Sequence, residues 1–381
     1  MTPSPDVLLA VDASRLSAAR AGIDNYLLHL LPHLVEGWRG LPGEGVRRVR
    51  VFTPPGAGAA SPAAAAAPGT GPDEVRPGGG PGWTQVRLPL ACHGAAVYFT
   101  PIPILPLLLP MPCPAVVTVH DLHEFRPRWG YFRRLLDGTF RKAARIVCVS
   151  ESTEAEVLAE FPWAAARCVV VREAADARLF HPPAGGAAPE PPGEALGRLG
   201  ITRAPLLAVG TIQPRKNYAS LIRAYAGLPA TAPPLLIVGK PGWRHEPVLA
   251  LPAELGIADR VVFAGHVTSE DLAALMRQSL LLCALSTAEG FGLPLVEAMA
   301  SGLPILASDI PPFREVAGNA ARFVPPTHEA AITARLAELI DSPALRAELA
   351  AVGLGRRGLF SWARAGAAVV EELERARRAP I

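Results

Sequence analysis

Short apolar runs alternating with segments of helical periodicity constrain this 381-residue chain more than any other feature. Residues 7–11 are apolar and end at Asp12. In the next segment, 23–35, Ile23, Leu27, Leu30, Leu31 and Leu34 fall on one helical face. Strands are expected at 49–52, 95–99, 115–119, 146–149 and 168–171, with helices at 132–144 and 152–161. Residues 54–82 are mostly Ala, Gly and Pro with almost nothing to bury, so a flexible excursion is expected there. A second run of Pro, Gly and Ala over 182–200 reads as an interdomain linker. The alternation then restarts, with strands at 206–209, 235–238, 261–263, 280–285 and 304–307. The intervening helices are expected at 218–226, 247–255, 269–278 and 293–300, and two late ones at 327–340 and 361–378. Such short apolar strands belong to parallel sheets covered on both faces. The fold class is therefore α/β, with two Rossmann-like domains, 1–190 and 191–360, whose parallel sheets face each other across a cleft. Residues 361–381 form a closing helical segment. Ligands of open α/β sheets bind outside the carboxyl ends of the strands, so the loops after strands are where chemistry is sought.

Composition narrows the function classes. Half the residues are hydrophobic and 19% are charged, which excludes wholesale disorder. Thirty-seven cations against 34 anions provide no concentrated basic field, so nucleic acid is not an expected partner. The five cysteines, at 92, 113, 148, 168 and 283, are odd in number and contain no CxxC pair. Zinc ribbons and disulfide frameworks are disfavoured, and a reducing, cytoplasmic setting is expected. No charged start leads into an apolar core and cleavage site, so no signal peptide is read. The most apolar stretch, 102–119, is interrupted by Pro103, Pro106, Pro110, Pro112 and Pro114 and cannot be a spanning helix. Residues 126–145 carry Arg126, Arg128, Arg133, Arg134, Arg141, Lys142 and Arg145 against one acid, Asp137, with aromatic residues between them. That segment reads either as a packed helix with a wet basic face or as a peripheral contact with the inner face of a membrane.

Three loops carry candidate chemistry. After strand 280–285, Glu289 is followed by Gly290, Phe291, Gly292, Leu293 and Pro294, and Glu297 falls about one helical turn later. Pro294 suits the first turn of a helix, and the amides of a glycine-rich helix start point at an anion. Read singly, Glu297 is also a dipole-complementing acid and Glu289 a solvated loop acid. After strand 206–209 comes Gly210-Thr211-Ile212-Gln213-Pro214-Arg215-Lys216-Asn217. A guanidinium and an ammonium beside a helix start suit a diphosphate, although a basic turn facing water is the common alternative. After strand 115–119 come His120 and Asp121, either a structural hydrogen-bonded pair or, at a strand's carboxyl end, part of a site.

With these loops in place the sequence resembles a family 4 glycosyltransferase of the GT-B fold. The patterns that carry the resemblance, in order, are Ala21-Gly22-Ile23, Val119-His120-Asp121-Leu122, Val149-Ser150-Glu151-Ser152 and the Gly210–Asn217 loop. Glu289 and Glu297 then stand as an E-x7-E pair, and Phe360-Ser361-Trp362 opens the last helix. The resemblance implies retaining transfer of a hexosyl group, mannose as a guess, from a nucleotide-diphosphate sugar to a glycan or lipid-linked acceptor. It implies that the last helix crosses back onto the first domain. It also implies that Arg215 and Lys216 bind the diphosphate, with Gly210 and Thr211 in the same loop, and that Glu297 holds the ribose. Glu289, with Gly290, Phe291 and Gly292, faces the donor sugar, and the amides near Leu293 and Pro294 help neutralise the leaving phosphate. His120 reaches the sugar from the first domain, beside Asp121. Gly22 lets backbone approach the phosphates, and the loop Gly265-His266-Val267 lies against the base. Three departures stand out. Thr211 replaces a frequent Arg, and Ala21-Gly22 replaces a double glycine. Glu173-Ala174-Ala175-Asp176 replaces the usual Asn-Gly-Val-Asp turn.

Glycosyl transfer places positive charge on the anomeric carbon and negative charge on the departing diphosphate, which fixed cations and amide dipoles stabilise. With Arg215, Lys216 and a helix start supplying charge, and no Asp-x-Asp motif or His/Cys cluster in the sequence, neither a metal nor a cofactor is expected. The donor, a GDP- or UDP-sugar, is a substrate. Front-face attack, with the diphosphate taking the acceptor proton, is the expected route. The alternatives are a sugar-nucleotide 2-epimerase of the same fold, which the E-x7-E segment disfavours, and a catalytically silent nucleotide- or glycan-binding protein. A pyridoxal-phosphate phosphorylase is disfavoured because no second phosphate loop is identifiable near Lys216 or Lys240.

Overall fold

The computed structural model describes residues 6–15, 22–43, 45–55, 71–123, 129–184 and 189–379. Its contacts divide the chain into two units: Met1–Glu173 with Ser361–Ile381, and Ala174–Phe360.

In the first unit the apolar runs form a parallel sheet. Its strands are β1 (Val7–Asp12), β2 (Arg47–Thr53), β3 (Glu74–Pro77), β4 (Val97–Thr100), β5 (Ala115–Val119), β6 (Arg145–Cys148) and β7 (Cys168–Val170). The order is β3-β2-β1-β4-β5-β6-β7, so the direction of winding reverses between β1 and β4. Strands β4 and β5 are buried along their whole length, as expected of a sheet covered on both faces. Two helices illustrate how that cover is made. Gly22–Gly40 buries Tyr26, Leu27, Leu30, Leu31 and Leu34. Trp362–Arg378 buries Trp362, Ala365, Val369, Val370 and Leu373, again at helical spacing. The two helices pack closely: Gly366 lies against His33, and a Cβ on Gly37 would sit 3.1 Å from Val370. Two buried ion pairs tie the C-terminal helix down, Arg47 to Glu374 at 3.2 Å and Arg145 to Glu372. The helix thus crosses back onto the first unit.

The second unit repeats the plan. Its strands are β8 (Leu206–Val209), β9 (Leu235–Val238), β10 (Val261–Gly265), β11 (Leu281–Ala284), β12 (Ile305–Ser308) and β13 (Ala321–Val324). The order is β10-β9-β8-β11-β12-β13, all parallel, with the reversal between β8 and β11. Its core joins Leu206, Ile222, Tyr225, Leu281, Leu306 and Leu336 with their neighbours.

Two expectations about the interruptions are corrected. Residues 71–82 of the proposed excursion are built into the first sheet: β3 pairs with β2, the Asp73 amide donates to the Val49 carbonyl at 2.9 Å, and that of Gly78 to Thr53 at 2.7 Å. The edge position of β3, exposed on most residues, explains its lack of an apolar signature. Residues 56–70 lie outside the described residues. The boundary falls at Glu173/Ala174, not within 182–200, because the latter segment is bonded into the second unit. The Glu190 amide donates to Arg277, that of Gly193 to the Gln278 side chain, and Glu194–Gly197 is a helical turn. Residues 185–188 are outside the described residues.

Candidate active site

The reversal between β8 and β11 leaves a crevice at the carboxyl ends of those strands, and both of the richest loops open there. Gly210 ends β8 with φ of 138°, a conformation that favours glycine. A Cβ there would come 3.0 Å from Lys216 Cε, so glycine also leaves room for that side chain. The Tyr218 hydroxyl donates to the Gly210 carbonyl at 2.7 Å and buttresses the loop from its buried side. Pro214–Lys216 form a single helical turn, and Asn217 then adopts φ of 57° before helix Tyr218–Ala226. The Asn217 side-chain Nδ2 donates to the Leu285 carbonyl at 3.1 Å and to the Pro326 carbonyl at 2.7 Å. The Thr287 amide donates to the Arg215 carbonyl at 2.8 Å. These bonds fix the β8 loop against the β11 loop.

Glu289 lies at the junction, with 9% of its surface exposed. One carboxylate oxygen accepts from Lys216 Nζ at 2.5 Å and from Ser286 Oγ at 2.7 Å; the other accepts from Arg215 Nη1 at 2.6 Å. Arg215 also donates to the Ala288 carbonyl at 2.9 Å. Burial alone would raise this carboxyl. The Lys216 and Arg215 charges, with the bonds from Lys216 and Ser286, instead hold it down at about 2. Gly292, with φ of 110°, precedes helix Leu293–Ser301, and a Cβ on it would meet the Phe313 ring at 2.8 Å. Pro294 lies in the first turn of that helix and Glu297 is buried one turn further on. Phe291 is buried and packs edge-on against Phe360. A shallow concavity is lined by Lys216, Tyr218, Ser286, Glu289, Gly292 and Pro294, among others.

The fold thus brings Arg215, Lys216 and Glu289 together, with Gly210, Thr211, Gly290, Leu293 and Pro294 on the same two loops. Val267 is more distant in the sheet: it follows β10, two strands from β8. In the first unit, Gly22 begins helix Gly22–Gly40, and a Cβ on it would meet nothing within 4 Å. Its neighbour Ala21 lies outside the described residues. His120 and the half-buried Asp121 follow β5. His120 Nδ1 lies 3.0 Å from Glu173 Oε1, and Nε2 lies 3.1 Å from the Pro101 carbonyl.

Sequence reading did not select Glu173, Ser286, Tyr218 or Asn217 as site residues. Ser286 stands directly after its strand, and Glu173 replaces the Asn of a recognised turn; both were visible signals. The basic segment 126–145 is largely engaged within its own unit. Arg133 pairs with Glu160, Arg141 with Asp137, and Arg145 with Glu372; Lys142 donates to the Pro106 and Leu107 carbonyls. Arg126 and Arg128 lie outside the described residues. Among the described residues no group of three or more His, Cys, Asp or Glu is placed to hold a metal ion. No helix among them is long and apolar enough to cross a membrane.

Two family models match the chain: "Glycosyltransferase Family 4" over residues 22–178 and "Glycosyl transferases group 1" over residues 201–353. Among curated proteins, O-antigen chain mannosyltransferase B of Escherichia coli is 30% identical over 263 residues, covering 65% of this chain and 67% of that protein. The MMP alpha-(1->4)-mannosyltransferase of Mycolicibacterium hassiacum is 33% identical over 257 residues, covering 65% of this chain and 58% of that one. Among solved structures, HepE of Anabaena in complex with UDP-glucose superposes with a TM-score of 0.76 at 17% identity, over 97% of this chain and 99% of that one.

Proposed function

The chain belongs to the group 1, family 4 glycosyltransferases, and from that premise we propose that it moves a mannosyl group, with retention, from GDP-mannose to a glycan or lipid-linked acceptor. The observation that carries this reading is the bonding of Glu289 to both Arg215 and Lys216 at the sheet reversal. Two cations converging on one buried anion make a site for a doubly charged diphosphate. The carboxylate fills the role of that anion until the donor arrives. On binding, the diphosphate takes Arg215 and Lys216, and Glu289 turns to the sugar hydroxyls. Those cations, with the amides at Leu293 and Pro294, then stabilise the charge that grows on the leaving diphosphate. Glu297 holds the ribose, Val267 lies against the base, and His120 and Asp121 attend the sugar. Gly22 leaves open space for a phosphate.

The mannosyl donor is supported by the named activities of the two curated relatives. The reading includes a cytoplasmic place, in keeping with five free cysteines, and a charge supply that needs neither metal nor cofactor. Peripheral membrane contact through 126–145 belongs to it as well, supported by exposed Tyr131 and, in the segment that Lys142 anchors, exposed Leu108.

A thermal-shift panel of GDP, UDP, ADP and TDP tests the proposal. A ligand at a hundredfold excess over its Kd adds about 2.7 kcal/mol to the native state. GDP is expected to give the largest rise in Tm, and Lys216→Ala to abolish it. No rise with any of the four would overturn the diphosphate site; a rise with UDP alone would overturn the GDP donor.

A further inference from the structure

We infer that Glu173 is a positioning residue that keeps His120 doubly protonated, so that the imidazole stands in transfer as a fixed positive charge and not as a proton acceptor. The inference rests on the proposed reading of His120 as a residue that attends the sugar.

The two ring nitrogens of His120 face the Pro101 carbonyl and the Glu173 carboxyl. A carbonyl only accepts, so Nε2 must carry a hydrogen. An ionised carboxylate also only accepts, so Nδ1 must carry one as well. The residue Glu173 is 6% exposed and has no lysine or arginine partner among the described residues. Were the ring neutral, a buried carboxylate would stand without a counter-charge, a costly arrangement. The imidazolium removes that cost and satisfies both acceptors at once.

The three groups come from separate crossovers of one sheet: Pro101 follows β4, His120 follows β5 and Glu173 closes the segment after β7. Together they form a line across its carboxyl edge. The ring is held from other sides too. Tyr26 packs edge-on against it, with ring centroids 4.7 Å apart. The Tyr26 hydroxyl, whose pKa burial raises, lies 3.4 Å from Thr118 Oγ1 and remains neutral. Thr153 Oγ1 donates to the His120 carbonyl at 3.3 Å. A neutral amide at position 173, as in the turn that this sequence departs from, would turn its NH₂ toward Nδ1 and leave that nitrogen bare. The acid is therefore what sets the charge of the ring in this chain.

The test uses the full chain labelled with ¹⁵N-histidine at neutral pH, the His120 signals being assigned by their loss in His120→Gln. Both ring nitrogens of His120 are expected to be protonated in the wild type, and one to be bare in Glu173→Gln. A bare His120 nitrogen in the wild type overturns the inference without reference to any variant. With GDP-mannose as donor and release of GDP as readout, Glu173→Gln is expected to lower kcat by about tenfold or more, with KM changed by less than about twofold. An unchanged kcat would remove the positioning role even if the spectra agree. Failure of the wild type to bind or turn over GDP-mannose counts against the donor assignment, and the wild-type spectrum still decides the charge of His120.

Discussion

Glu289 owes its ionisation to two neighbours, and that dependence has a sign. Its folded-state pKa of about 2 lies below its ordinary value of 4.5. The resulting stabilisation, about 3 kcal/mol, is fully present above pH 4.5 and is lost as pH falls through 2. Glu289→Gln leaves Arg215 and Lys216 without their anion. The variant should be less stable than the wild type at pH 7, and the gap should close between pH 4.5 and 2. Urea unfolding at several pH values checks this; a gap that stays constant across that window would remove Glu289 as the origin. Arg215, Lys216 and Glu289 were all legible in the sequence, because each sits in a loop directly after an apolar run. The pairing of Glu173 with His120 was not. It spans 53 residues and exists only because β5, β6 and β7 are neighbours in the sheet.

The helix Glu151–Glu160 shows what a short motif does for an element. Ser150 Oγ accepts from the Thr153 amide at 2.9 Å and so caps the helix, and it donates to Thr153 Oγ1 at 3.0 Å. Thr153 in turn holds the His120 carbonyl, so one serine connects a helix start to the loop after β5. Ser150→Ala should cost about 1 kcal/mol, the usual value of a lost cap. It should also broaden the backbone amide signals of His120 and Asp121 in NMR; sharp, unshifted signals would show that the cap stands apart from that loop. Most elements were readable from periodicity: β8, β9 and the helices Tyr218–Ala226 and Ser269–Gln278 fall where the pattern puts them. The helices Pro311–Ala317 and Pro343–Arg356 were not foreseen. The first opens on two prolines, which resemble a loop until they are seen as a helix start. The second buries only Leu349, Ala350 and Gly353, too narrow a stripe to stand out in an alanine-rich sequence.

At the scale of the molecule, one order of six strands is used twice, with a seventh strand at the edge of the first sheet, and in each sheet candidate residues follow the carboxyl ends of strands. The repetition was visible as a pattern that restarts. The boundary was not, since Pro- and Gly-rich residues mark a change of direction as readily as a free linker. Cutting the chain after Phe360 would remove the helix Trp362–Arg378 and bare the faces of Gly22–Gly40 that meet it. Two buried carboxylates, Glu372 and Glu374, would also be withdrawn from Arg145 and Arg47. The truncated chain should unfold its first unit at lower urea and leave the second unchanged. Fluorescence of Trp38 and Trp83 reports the first and that of Trp243 the second. Parallel shifts in both would show that the helix stabilises more than the first unit.

The last seventeen helical residues thus complete the half that is synthesised first. On the ribosome, the early sheet waits without its final cover, whereas the later half is contiguous and finishes with nothing left to wait for. The order of translation is therefore the reverse of the order in which the two halves mature. Any delay or cleavage before that helix has emerged strikes the half that has waited longest.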